Sequence, residues 1–556
     1  MSMASVRRGW RNFARSSVSD TGAPAGPRRT ALCGRAVHAH VDVRLVAPAL
    51  TAWVVTAAGI WWPVGRVSAS CCLVLVALGA LACYGVRTSD RTPRLPAVGA
   101  GLVAVGVVGA GFGLAIGLRA DAVGRHPITA AFGTAAPVTV TPTETALSLG
   151  AGNQGRLMFR ATLQRLRDDE VSGRVVVFAR ASDFGDLMVG QPVRFTARIN
   201  RPGRRDLTVA VLTASGRPTM GTAGAVQRAA HAVRRRFAAA ARDALPADQA
   251  AMLPALVLGD TAAVTGETSR EFRAAGMTHL TAVSGANVTI VCAAVLFSAR
   301  LIGPRAAVVL AAVALVAFVI VVQPTASVLR ATVMGAIALT GMLSSRRRQA
   351  IPALAATVLI LLALAPQLAV DVGFALSVLA TAALIVIAPA WSRRLVGRGW
   401  PKPLADAVAV ACAAHVVTAP LVAGISGRVS LVAAAANLAV APVIAPITVL
   451  GSAAAVGCLL WPPGAQLLIR FTGPELWWVL HVAQWSADVP AATVPVPACA
   501  PGVVVVGAGT ALVFAVAVRL WRRRWFRGAL GLAGSAVGMC WLAWSLSRLV
   551  AIASAA

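Results

Sequence analysis

The sequence predicts a polytopic α-helical membrane protein of about 11–13 spans with one small external all-β, OB-like domain. Three observations carry that prediction. First, 58% of the 556 residues are hydrophobic and only 13% are charged, against roughly 25% charged in soluble globular chains. Second, the hydrophobic residues fall in blocks of 17 to 30, separated by short Arg-rich stretches. That is the layout of membrane helices rather than of one large core. Third, residues 119–220 hold no such block and instead alternate apolar and polar side chains, the period of half-buried strands.

Taken in order, residues 1–44 are Arg-rich and polar without a short apolar core or cleavage site, and read as a disordered basic cytoplasmic tail. Three N-terminal spans fill 45–118, at 45–64, 69–86 and 96–118. Further spans are expected at 280–301, 304–322, 326–343, 350–366, 370–390, 404–424, 430–459, 466–487, 502–520 and 529–550. With the N-terminus inside, the inside turns carry the basic residues: Arg87, Arg91 and Arg94, then Arg300 and Arg305, then Arg346, Arg347 and Arg348. Arg393, Arg394, Arg398 and Lys402 follow, and Arg522, Arg523, Arg524 and Arg527 come last. Outside turns 323–325 and 367–369 carry none. The positive-inside rule therefore places a multi-pass chain in the cytoplasmic (inner) membrane with its N-terminus cytoplasmic and its C-terminus external. Block 430–459 contains Pro442 and Pro446 and reads as a broken helix. Block 466–487 holds Arg470, Glu475 and His481 and reads as interfacial or cavity-lining.

In the external domain, 119–220, Val193, Phe195, Ala197 and Ile199 alternate with polar residues, as do Leu207, Val209 and Val211. Further strands are expected at 136–148, 157–164 and 174–181. About five strands suit a small barrel, with an OB type leading. The domain counts 14 Arg against 8 acidic residues. One reading is a nucleic-acid backbone surface of Arg174, Arg180, Arg194 and Arg198; the other is a solvated strand face. Phe159, Phe178, Phe184 and Phe195 are its stacking candidates, several of them needed for the core.

A basic amphipathic helix is expected within 221–250. Val226, Val233, Phe237 and Ala244 share one face, and Arg228, Arg234, Arg235, Arg236 and Arg242 fill the other. It reads as lying on a membrane surface, with the floor of an anionic entrance as the alternative. Gly109, Gly111 and Gly113 inside a span read as close helix packing, not as a phosphate loop. Nine scattered cysteines form no CxxC, and no GxxxxGK[ST] occurs, so neither a metal nor another cofactor is expected.

Residues 254–291, PALVLGDTAAVTGETSREFRAAGMTHLTAVSGANVTIV, run from a polar segment into an apolar span through His279, Ser284, Gly285 and Asn287. A His at membrane depth followed by a Ser-Gly break points to an unwound segment lining a polar site. Arg330, inside a span, would cost about 2.5–3.5 kcal/mol facing lipid at mid-bilayer. It is therefore read as functional or paired, with Asp371 and Asp260 as conceivable partners.

The 254–291 stretch resembles the signature of the ComEC/Rec2 family of competence proteins, membrane channels that import single-stranded DNA during natural transformation. Gly259-Asp260 resembles a family element, as do Ser327 with Arg330, Ala331 and Met334. So do Pro366, Asp371, Gly373, Phe374, Leu376 and Ser377, then Thr418-Ala-Pro420, and Asn437 through Pro442. The likeness covers about 45 to 520, with 251–501 as the channel core and 502–556 as C-terminal transmembrane helices. Polarity and resemblance together give the channel-lining set His279, Ser284, Gly285, Asn287, Arg330, Asp371, Ser377 and Asn437. The implied partners are single-stranded DNA, membrane lipid, a separate DNA receptor, a nuclease, a cytoplasmic motor ATPase and a second copy of the chain.

Two departures stand out. Asn287 occupies a position where many members carry a second His. Many members also end in a metallo-β-lactamase-like domain, whereas here the nearest motif is His38-Ala-His40-Val-Asp42, with Val43 in place of the final His. The expectation is a chain without enzymatic activity or a metal site. Two other classes compete with the channel. One is a transporter of another anionic polymer or lipid-linked solute, whose discontinuous helices would look alike. The other is an intramembrane enzyme on Ser284 and His279, which lacks a placed carboxylate.

Overall fold

The computed structural model describes residues 42–520 apart from 63, 88–94, 149–154, 186, 282, 324 and 344–348. The tail with His38 and His40, the turn arginines Arg91, Arg94, Arg346, Arg347, Arg348, Arg522, Arg523, Arg524 and Arg527, and the span 529–550 lie outside the described residues.

The described chain is mostly helical and opens with α1 (Val46–Trp61), α2 (Gly65–Arg87) and α3 (Leu95–Gly124). Glycines let α2 and α3 touch. A Cβ on Gly109 would lie 2.5 Å from the Cys72 sulfur, and one on Gly113 would lie 3.0 Å from the Ala69 nitrogen. Small residues permit this approach where lipid offers no hydrophobic drive between helices. Gly111 faces open space, so the packing reading holds at Gly109 and Gly113 and fails at Gly111.

A five-stranded ring follows. Its strands are β1 (Ala135–Pro142), β3 (Arg156–Leu166), β4 (Asp169–Arg180), β5 (Val193–Asn200) and β6 (Ala210–Met220). The two-residue β2 (Leu147–Ser148) pairs with β3, and the single-turn α4 (Ala181–Phe184) follows β4. The ring order is β1-β3-β4-β6-β5 and back to β1, antiparallel throughout except for the parallel pair β4–β6. Period-2 alternation turns Val138, Phe159, Leu163, Val177, Phe195 and Ile199 into one buried core. The expected strand from Leu207 is displaced. Leu207 takes a φ of +64°, outside the strand region, and packs against the helices, so β6 starts at Ala210.

The remaining helices run α5 (Ala225–Ala244), α6 (Ala247–Leu258), α7 (Gly266–Ala274), α8 (Thr278–Thr281), α9 (Gly285–Ala299) and α10 (Pro304–Val322). Next come α11 (Ala326–Leu343), α12 (Ala350–Leu364), α13 (Val372–Val396), α14 (Lys402–Ser426) and α15 (Ala433–Leu460). The last three are α16 (Pro462–Phe471), α17 (Gly473–Ala487) and α18 (Cys499–Leu520). Strands β7 (Arg428–Ser430) and β8 (Thr493–Pro495) clip the start of α15 beside the end of α17.

Among the described residues, five helical stretches are long and apolar enough to cross a membrane: Val98–Ala131, Pro304–Val322, Val372–Val396, Lys402–Ser426 and Ala433–Leu460. Several other apolar helices are shorter. Helix α1 has 16 residues and α9 and α12 have 15 each, against about 20 for a straight span. Ser284-Gly285 and Pro366 set two of those ends.

Three expectations are corrected. Block 430–459 is not broken: α15 is continuous over 28 residues with Pro442 and Pro446 inside. The Trp478 indole donates to the Ala439 carbonyl at 3.0 Å, next to the Leu438 carbonyl whose i+4 donor Pro442 removes. Block 466–487 is not one span: it divides at buried Thr472, because Pro474 cannot continue a helix but suits its first turn. Finally, α5 does not lay its apolar face on a membrane. Val233, Phe237 and Ala241 join the core of α6, α10, α15 and α17, while Val226 stays 57% exposed.

Candidate functional site

The polar residues of the 254–291 stretch gather around the start of α9. A helix start exposes unpaired N–H groups, and a helix end exposes unpaired carbonyls. Asn287 serves a carbonyl: its amide nitrogen donates to the Leu256 carbonyl at the end of α6 at 2.8 Å, while its Oδ1 accepts from the Ser284 hydroxyl at 3.2 Å. Only 4% of Asn287 is exposed. Its amide is therefore committed to bracing α9 against α6.

Gly285 is the first residue of α9 and lies against Arg330 of α11. A Cβ there would sit 2.8 Å from a terminal nitrogen of Arg330 and 3.2 Å from the Ala331 Cβ. Arg330 is 8% exposed, and its Nε–H donates to the Ser377 hydroxyl of α13 at 2.6 Å. Ser377 in turn donates to Ser327 Oγ at 3.5 Å, and Met334 Sδ stands 3.7 Å from an Arg330 Nη. Neither expected carboxylate pairs with it. Asp260 faces Arg234 at 3.8 Å, and Asp371 caps α13 by accepting from the Phe374 N–H at 2.7 Å. Arg330 is thus a buried guanidinium held by neutral partners, with no ion pair among the described residues. A guanidinium in that setting can pair with a phosphate or carboxylate.

A second group sits beside it. Gly276 has a φ of +67°, and a Cβ there would come within 2.4 Å of the Ala433 Cβ. Asn437 donates to the Ala433 carbonyl at 2.8 Å and to the Gly276 carbonyl at 3.4 Å, and Ser430 donates to the Ala274 carbonyl at 2.7 Å. His279 is exposed on α8 and bonds the Gly276 backbone. The eight expected lining residues thus divide: Ser284, Gly285, Asn287, Arg330 and Ser377 adjoin, His279 and Asn437 meet at Gly276, and Asp371 caps the helix that carries Ser377.

Arg234 carries a role the sequence reading missed. Expected on the polar face of α5, it is buried instead. Its Nη1 donates to the carbonyls of Leu258 and Val321 at 3.2 Å and of Val322 at 3.4 Å, while Nη2 faces Asp260. One cation thereby closes the ends of α6 and α10. The signal was present: Ala230, Arg234, Phe237 and Ala241 recur at i, i+4, i+7 and i+11, and all four are buried.

On the barrel, Arg180, Arg194 and Arg198 are exposed. Arg174 is half-buried toward the helices, and its Nη1 is buried without a hydrogen-bond partner. Burial, and then the neighbouring Arg160, push its pKa below the usual guanidinium range, against the pull of Asp206, Glu144 and Asp371. Phe159, Phe184 and Phe195 are core residues; Phe178 alone of the four faces outward.

Residues 256–523 match the family model described as Competence protein. The chain matches no curated protein and no solved structure.

Proposed function

Residues 256–523 belong to the Competence protein family, a family of DNA uptake in transformation, and from that premise we propose that the chain is a channel importing single-stranded DNA across the cytoplasmic membrane. The observation that carries this reading is Arg330: a buried cation without a carboxylate, packed on Gly285 and held by Ser377. A translocating phosphodiester supplies the missing anion, one unit at a time. In this reading the ring is an OB-type barrel, supported by five strands with Greek-key order and one parallel pair. It stands outside and receives the strand on its basic face, while the shorter apolar helices complete 11–13 spans around the path. The N-terminus is cytoplasmic. A receptor, a nuclease and a motor ATPase act as separate partners, and a second copy or lipid completes the assembly.

The test is uptake of labelled DNA in a deletion strain carrying the chain or its variants, with growth and membrane insertion monitored. Deletion should abolish uptake while growth continues. Arg330→Ala should abolish it in an inserted protein, and Ser284→Leu should block it sterically. Normal uptake by both variants overturns the channel. Normal uptake in the deletion strain with loss of another anionic polymer's transport favours the transporter alternative.

A further inference from the structure

Residues directly opposed on paired strands point to the same side of a sheet. The registers Leu147↔Met158, Met158↔Phe178, Phe178↔Thr213 and Thr213↔Arg198 therefore lay one row across β2, β3, β4, β6 and β5. The intervening residues Leu157, Phe159, Val177, Ala179 and Leu212 are buried in the barrel, so this row faces outward. Leu147 is 53% exposed, Met158 and Phe178 are half-buried, and Arg198 is exposed. Two residues along, about 6.6 Å on, Arg156↔Arg180 forms a second exposed row. None of these three arginines has an ion-pair partner among the described residues, in contrast to Arg160 and Arg165, which pair with Glu144 and Glu170. The Phe178 ring meets no other ring among the described residues, while Phe159, Phe184 and Phe195 stack together inside.

An apolar strip edged by unpaired guanidinium groups fits a ligand that is flat and apolar in one part and polyanionic in the next. An unstacked nucleobase on its phosphodiester backbone has that make-up. We propose that Phe178, flanked by Met158 and Leu147, is a base-stacking platform for single-stranded DNA, with Arg156, Arg180 and Arg198 holding the adjoining phosphates. This rests on the DNA-uptake reading and adds to it a subsite centred on Phe178. Stacking on a ring is indifferent to sequence because every base has a π-face, and it survives salt better than the phosphate contacts do.

The test uses the full chain in nanodiscs and fluorescence anisotropy with two probes, a short oligo-dT and an abasic strand of equal length. Phe178→Ala should weaken oligo-dT binding about tenfold, within the range of one base–aromatic stack, and leave the abasic strand unchanged. Phe178→Trp should restore oligo-dT binding, and Arg156→Ala with Arg180→Ala should weaken both probes and flatten the salt dependence. Equal oligo-dT binding by wild type and Phe178→Ala overturns the platform alone, as does an equal loss on both probes. A wild type that binds neither probe at low salt overturns the platform and the barrel's part in DNA uptake together.

Discussion

Replacing Gly285 by alanine places a methyl carbon 2.8 Å from an Arg330 nitrogen and 3.2 Å from the Ala331 side chain. The guanidinium has to shift to relieve that contact, which strains its Nε–H bond to Ser377. DNA uptake by Gly285→Ala is therefore expected to fall toward the level of Arg330→Ala, with the amount of inserted protein unchanged. Full uptake would show that Arg330 is free to shift. Arg330→Lys keeps the charge but not the planar fork or the Nε–H, and is expected to fall between the two. Glu271 on α7 reports a different residue-scale effect. Burial, then Glu267, Asp488 and Asp248, raise its pKa above the ordinary carboxylate range. The folded state then binds its proton more tightly than the unfolded state does, so stability drops as pH rises from the ordinary carboxylate range through the raised value. Glu271→Gln should raise the Tm of the detergent-solubilised protein at mildly alkaline pH and make little difference at acid pH. A pH-independent shift would assign the effect to packing.

Between elements, Arg234 joins three chain segments that are distant in sequence. Removing it leaves the Leu258, Val321 and Val322 carbonyls without that donor and Asp260 without its cation. Arg234→Met is expected to cost about 3–5 kcal/mol, and Asp260→Asn in the same chain should recover part of it, as read by thermal unfolding. Helix α3 offers an internal control. Gly113→Ala drives a methyl into the backbone of α2, whereas Gly111→Ala meets nothing within 4 Å. The first should lower Tm; the second should leave it unchanged or raise it, since alanine outranks glycine in a helix by about 1 kcal/mol. These elements also mark the limit of what the sequence discloses. The Ser284-Gly285 break and the strands around Val193 and Val175 were legible because local chemistry decides them. The continuity of α15 was not, because prolines inside a pattern read as breaks while the contacts on this helix, such as the Trp478 indole on the Ala439 carbonyl, come from 39 residues away. The burial of Arg234 was legible in its i, i+4 spacing but obscured by its charge.

Across the whole molecule, the separation into apolar helices and one alternating domain follows from composition and patterning. The mutual placement of Arg330, Gly285 and Ser377 does not, since it joins three helices whose sequence spacing carries no contact information. The barrel and the bundle meet where the Thr145 hydroxyl donates to Gln323 Oε1 and Arg205 donates to the Trp61 carbonyl, with Leu207 packed into the helical core. Charge also governs the molecule's approach to its proposed ligand. Strand binding by the full chain should weaken linearly in log–log form as salt rises, and Arg194→Ala with Arg198→Ala should reduce the slope. A salt-insensitive affinity would remove the electrostatic account of capture.

Closure of the ring by the parallel pair β4–β6 has a consequence for recruitment. An open sheet presents a row of backbone amides and carbonyls onto which a foreign segment zips as an extra strand. In this ring each of the five long strands is flanked on both sides over part of its length, β4 and β6 through Val175–Phe178 and Ala210–Thr213. Along those stretches the receptor of the proposed function finds no open edge for the sequence-tolerant mode of β-augmentation. There it has to recognise the barrel through side chains, and so through a surface that can diverge with its partner.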